Sequence, residues 1–288
     1  RKFADAQESR EMGNVDLRME HLDRSGIDIQ VLHNTMFIEP ATDRAVVEVA
    51  LCKSWNRWLA DIWRQGKGRL RWSCMAPTLS MTDALDQIRF GKENGACAVL
   101  MRPVEGNRLL ADPYFYPIYE EASRLEMAIA VHIANGNAWL NDLYRHPVAI
   151  AATLHRFRVP TVAAFSDVLL SEIHQIFPKL RWGFIEASSQ WLPWVLREAK
   201  NRFKTLGREW PDNVAREYRM FVTCENSDDL PYIVREAGEE CLVIGTDYGH
   251  TDTSSDVDAI KVFKARTDLA PEVKRKILSD NARALYGL

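Results

Sequence analysis

The 288-residue chain has no apolar run near the ~20 residues that a bilayer-spanning helix needs. Its opening residues, Arg1-Lys2-Phe3-Ala4-Asp5, also lack the apolar core of a signal peptide. A cytoplasmic protein without a membrane partner is the expectation. Excess positive charge is missing as well: 37 Lys and Arg stand against 40 Asp and Glu, a net of −3. A phosphate backbone finds no basic face here, so nucleic acid is not an expected partner. Cysteine is sparse. Cys52, Cys74, Cys97, Cys224 and Cys241 are odd in number, widely spaced and without a Cys-x-x-Cys pair. That pattern predicts buried reduced thiols rather than a disulfide framework or a thiolate metal site. No G-x-G-x-x-G or Walker sequence follows any strand-like run, which argues against an open nucleotide-binding sheet.

What the chain does have is alternation. Strand-like text at residues 26–33, 69–76, 97–101, 127–132, 180–186, 218–224 and 241–247 alternates with helical text. The helical stretches are residues 15–25, 41–65, 82–94, 114–126, 147–157, 168–177, 191–203, 230–237, 258–269 and 271–285. Hydrophobic residues make up 47% of the sequence, enough for one sizeable core, so residues 1–288 read as a single domain. About seven βα units in this order predict an α/β fold, a (β/α)8 TIM barrel whose first βα unit is missing from the chain.

The most informative stretch is Cys241-Leu242-Val243-Ile244-Gly245-Thr246-Asp247-Tyr248-Gly249-His250. An apolar run fit for a strand buried on both faces stops there at a carboxylate followed by an imidazole. Taken alone, Asp247 could equally cap the next helix or make an Asx turn. His33, Arg102, His132, Glu186 and Glu225 end other strands in the same way, and in a barrel all of these ends converge on one mouth. That convergence favours a functional Asp247.

His132 and Asp247 are ligand types suited to a zinc-class ion. A catalytic ion keeps about three protein ligands, so a third must come from Glu186, His33 or a residue outside this chain. A hydrogen-bonded core histidine is the competing reading of His132. Arg102 offers a bidentate fork for a substrate carboxylate, or else an ordinary salt bridge. Trp191, Trp139 and His250 lie on loops or helix starts facing the mouth, where they could stack on or hydrogen-bond an aromatic ring. Trp55 and Trp58 fall within a helical stripe and read as core or interface, and the tryptophan content makes a homodimer plausible.

Five segments carry a resemblance. They are Ser25-Gly26-Ile27-Asp28-Ile29-Gln30-Val31-Leu32, residues 119–132, Phe177-Pro178-Lys179-Leu180-Arg181-Trp182-Gly183-Phe184-Ile185-Glu186-Ala187 with Trp191, Gly245-Thr246-Asp247-Tyr248-Gly249-His250, and the terminal Asn281-Ala282-Arg283-Ala284-Leu285-Tyr286-Gly287-Leu288. In this order the chain resembles the amidohydrolase-related group, amidohydrolase family 2, which includes aminocarboxymuconate semialdehyde decarboxylase. The resemblance implies a metal-dependent barrel in which His132 and Asp247 bind a divalent ion, zinc first and manganese second. It also implies that Asp247 takes a proton from water in a hydrolase. Two departures stand out. The family's first strand carries a His-x-His or Glu-x-His pair that this chain lacks before His33, in keeping with a missing first strand. The family's decarboxylases place a histidine where this chain has Glu186.

Glu186 in that position suits a ligand or a general base beside an activated water. The expectation is therefore a metal-dependent hydrolase acting on a small carboxylated or cyclic substrate. Asp247 and Glu186 would be catalytic, His132, Asp247 and Glu186 would hold the metal, and Arg102, His33, Trp191 and His250 would bind substrate. Non-oxidative decarboxylation of an aromatic or unsaturated acid is the alternative, followed by a metal-free barrel with a binding or structural role.

Overall fold

The computed structural model describes residues 7–148, 153–250 and 256–288. Seven parallel strands form one curled sheet, and their spatial order is their chain order. They are β1 (Gln30–Leu32), β2 (Leu70–Met75), β3 (Ala96–Met101), β6 (Ala128–His132), β7 (Trp182–Ile185), β8 (Met220–Cys224) and β9 (Leu242–Ile244). Every residue of β3, β6, β7 and β8 is buried, the expected result for apolar runs with no polar alternation. β1 is only half buried because it lies at a sheet edge, as does β9. All seven strand-like runs became strands, each shorter than its apolar text except β3, which gains Ala96.

Alternate residues of these strands serve two different layers. Ile129 and Val131 face a shell of helices, where Ile88, Ile118, Phe165 and Phe203 join the main core. Ala128 and Ala130 face the concave side, together with Cys97, Ala98, Phe221 and Val243. Small residues dominate this inner layer because the C-terminal helix Asn281–Tyr286 inserts Leu285 and Tyr286 against it. Gly183 belongs to the same fit, since a Cβ there would sit 2.8 Å from a Leu285 methyl.

The helices Val15–Ser25 and Leu230–Ala237 match their expected bounds. Asn14 caps the first, accepting from the Leu17 amide, and Gly26 ends it in the left-handed conformation at φ 63°. Residues 149–152, within the helix expected at 147–157, lie outside the described residues. A π-helical turn, Leu154–Arg158, then runs into the helix Val159–Leu170. The expectation of a single helix over 168–177 is corrected: Ser171 breaks it with extended backbone, and Ile173–Ile176 forms a separate turn. A small antiparallel hairpin, β4 (Val104–Glu105) and β5 (Arg108–Leu109), was not foreseen, because two residues per strand carry no periodic signal.

All five cysteines are free and buried. Burial pushes the Cys52, Cys97 and Cys241 thiols up to about 12, which leaves them as inert packing groups. Among the described residues no helix is long and apolar enough to cross a membrane.

Candidate metal centre

Parallel register assembles the site. His132 pairs with Ile185, so the residue after Ile185 emerges beside the imidazole at the C-terminal rim. That residue is Glu186, and its Oε2 lies 2.9 Å from His132 Nε2. Two strands along, β9 delivers Asp247 and His250, whose Oδ1 and Nδ1 are 2.6 Å apart. Glu186, Asp247 and His250 each offer one donor atom, and these atoms lie within 4.8 Å of one another. Carboxylates at such separations repel by roughly 3–4 kcal/mol at an effective dielectric of 20, a repulsion that a bound cation would relieve.

The backbone is bent to achieve this. Glu186 and Asp247 hold φ values of 69° and 45°, in a left-handed region that non-glycine residues visit rarely and at a cost of order 1–3 kcal/mol. Glu186 is held there by its own amide, which donates to Thr223 Oγ1 at 2.6 Å. Beyond it, Asp228 gathers the loops after β7 and β8: its carboxylate accepts from the Ser188 and Ser189 hydroxyls and from the Ser189 and Glu225 amides.

Behind the acids stands a histidine pair. The His33 and His132 rings are 5.7 Å apart and inclined by 28°. Ser73 Oγ donates to the Leu32 carbonyl and so accepts from His33 Nδ1 at 3.0 Å. His33 Nε2 is thereby the acceptor for the Tyr286 hydroxyl at 3.2 Å, a tautomer assigned from this network. Burial, reinforced by neighbouring His132, lowers the His33 pKa to about 3 and keeps the ring neutral. Expected to bind substrate, His33 lines the cavity but has both ring nitrogens engaged by protein partners.

The donor set suits a divalent ion. Two carboxylate oxygens and imidazole nitrogens are the ligands of zinc and manganese alike. His132 Nε2 faces the carboxylates, while its Nδ1 is buried with no hydrogen-bond partner among the described residues. Glu186, Asp247 and His250 would hold an ion, with His132 entering on the Glu186 side. His250, read from sequence as a substrate contact, thus sits inside the donor group, and Thr35 Oγ1 lies 3.2 Å from its other nitrogen.

These groups open into a cavity of about 450 Å³ between β1 and β9, lined in part by His33, His132, Glu186, Thr223, Asp247 and His250. Its size is that of a small-molecule site.

Arg102 and Trp191 are not part of that lining, which corrects two expected substrate contacts. Arg102 Nε and Nη2 both donate to Glu105 Oε2, at 2.8 and 2.5 Å, while the Arg102 amide donates to Glu105 Oε1. The β4–β5 hairpin brings Glu105 back onto the fork, so no vacancy remains for a substrate carboxylate. Trp191 packs edge-on against Phe165 and donates its indole N–H to the Ala187 carbonyl. Trp139 is 68% exposed, and Trp55 and Trp58 pack on each other at 4.8 Å. Arg102→Gln should destabilise the fold by about 3–5 kcal/mol in urea titration, because Glu105 is left buried without its cation. The turnover number of the folded variant should match that of the wild type; a selective loss of substrate affinity at full stability would restore Arg102 to the substrate site.

A curled parallel sheet with acids and imidazoles clustered at its C-terminal rim defines an α/β-barrel protein with a candidate metal site. The chain belongs to the amidohydrolase family, whose model, described as Amidohydrolase, matches residues 4–288. Among its relatives is the 2-amino-3-carboxymuconate-6-semialdehyde decarboxylase of Dictyostelium discoideum, 21% identical over 295 residues, a match covering 95% of this chain and 76% of that protein. An amidohydrolase from Mycobacterium avium subsp. paratuberculosis K-10 superposes with a TM-score of 0.80 at 19% identity, over 96% of this chain and 74% of the other. The 5-carboxyvanillate decarboxylase of Novosphingobium aromaticivorans, solved with manganese and 4-hydroxy-3-methoxy-5-nitrobenzoic acid, gives 0.75 at 18% identity, over 94% and 79%.

Proposed function

We propose that the protein is a divalent-metal-dependent decarboxylase of a small acid whose carboxylate sits on an aromatic or unsaturated carbon. The observation that carries this reading is the convergence of Glu186, Asp247, His250 and His132 at one end of a cavity of small-molecule size. Two relatives named as decarboxylases of such acids support it, one of them holding manganese. Hydrolysis, first on the strength of Glu186 alone, becomes the second reading.

An ion held there supplies positive charge that neutralises the acids and fastens an anionic substrate. Zinc and manganese both suit the donors. Asp247 would offer one carboxylate oxygen to the ion and use the other to carry a proton from solvent to the substrate carbon bearing the carboxylate. The C–C bond then breaks and returns its electron pair to the π system as carbon dioxide leaves. One proton enters and one carbon dioxide departs, so no oxidant is needed. His33 holds the His132 ring and Thr223 holds Glu186, fixing the geometry before substrate arrives.

The test uses the full chain, stripped of metal and reconstituted separately with zinc and manganese. Carboxyl-labelled hydroxybenzoates and muconate-type acids are offered in deuterated water. Release of labelled carbon dioxide with one deuteron at the vacated carbon is the expected result. Products that gain the elements of water without losing carbon dioxide overturn decarboxylation in favour of water-activating chemistry, and no turnover with either metal sinks both readings.

A further inference from the structure

Tyr248 lies between Asp247 and His250, and its ring is gripped from outside the sheet. The guanidinium carbon of Arg18 sits 3.6 Å from the ring centroid, and the His21 ring is 4.0 Å away, tilted by 41°. Ser9 Oγ is 3.1 Å from the phenol oxygen. Arg18 and His21 are three residues apart on the helix Val15–Ser25 and therefore share a face, and both are buried. Arg18 Nε also donates to Gln30 Oε1 at 3.1 Å, and Gln30 is the first residue of β1.

One guanidinium therefore touches one edge strand, β1, and the loop that follows the other, β9. β1 and β9 are not hydrogen-bonded to each other among the described residues, so the loop after β9 gets no support from a ladder on that side. β9 itself is only three residues long, and the loop must hold Asp247 at φ 45°. A planar cation over the Tyr248 face, tied to Gln30, opposes relaxation of that backbone.

We infer that Arg18 is a positioning residue: through Tyr248 it holds the loop that presents Asp247 and His250. Its link to catalysis rests on the metal reading above, whereas its link to loop order does not. Hydrogen exchange on the metal-free full chain and the visible absorption of the cobalt-loaded protein separate the two.

Arg18→Gln should speed exchange of the amides of residues 246–250 about tenfold while leaving β6 and β7 amides unchanged. It should also weaken cobalt binding by a similar factor and alter the cobalt bands. Arg18→Lys, which keeps a cation over the ring, should recover part of both effects. If Arg18→Gln fails to fold, Tyr248→Leu removes the ring and leaves the Arg18–Gln30 bond in place, with the same loop-confined increase expected. Unchanged exchange at 246–250, or an increase spread evenly over the sheet, overturns the proposal. A wild-type chain that binds no cobalt overturns the metal reading, and exchange alone then decides the role of Arg18.

Discussion

Asp247→Asn is expected to lower kcat/KM by about a thousandfold or more while leaving the unfolding midpoint near that of the wild type. The substitution isolates chemistry from backbone. Asp247 holds φ 45°, and asparagine tolerates this region as readily as aspartate does, so the loop keeps its shape. The variant loses the negative charge facing Glu186 and His250 and the capacity to hand a proton to substrate. Turnover and unfolding measured side by side distinguish the outcomes. Full activity would reduce Asp247 to a turn residue, whereas a collapse in stability would make it a structural one.

The second large effect concerns the ion. Adding zinc or manganese at a hundred times its dissociation constant should stabilise the wild-type chain by about 2.7 kcal/mol. Glu186→Gln should abolish most of that gain, because an amide oxygen carries no charge to offer the cation, and affinity should fall by about a hundredfold. In the absence of metal the sign reverses. The same substitution removes one of the two carboxylates facing each other within 4.8 Å, so the apo variant should be at least as stable as apo wild type. Thermal unfolding of both proteins, with and without metal, gives all four values. Equal stabilisation by metal in the two proteins would exclude Glu186 from the centre.

How much of this was legible can be judged residue by residue. The seven strands announced themselves as short apolar runs, six of them ended by a polar residue, as Ala128–His132 and Trp182–Ile185 with Glu186 illustrate, and β2 ended by Pro77. Asp247, His132 and Glu186 stood out as strand-end donors for the same reason. That Glu186 meets His132 was not legible, since it depends on the register pairing His132 with Ile185, some fifty residues downstream. Arg102 offered two readings from sequence, a substrate fork or a salt bridge, and its pairing with Glu105, three residues on in β4, favours the second. His250 was assigned to substrate, yet its spacing from Asp247 within one loop brings it among the donors. Ser73, a polar residue inside the buried run of β2, was the available clue to the support of His33 and went unused.

From the sequence alone came the kind and order of the elements and the residue types at their ends, because strand and helix periodicity is set among near neighbours. Which of those ends meet was decided by the tertiary structure. Register across parallel strands, the backbone bends at Glu186 and Asp247, and the grip of Arg18 on Tyr248 join residues far apart in the chain. Such contacts are selected by the packing of the whole sheet and its helices, and no local window of sequence contains that information.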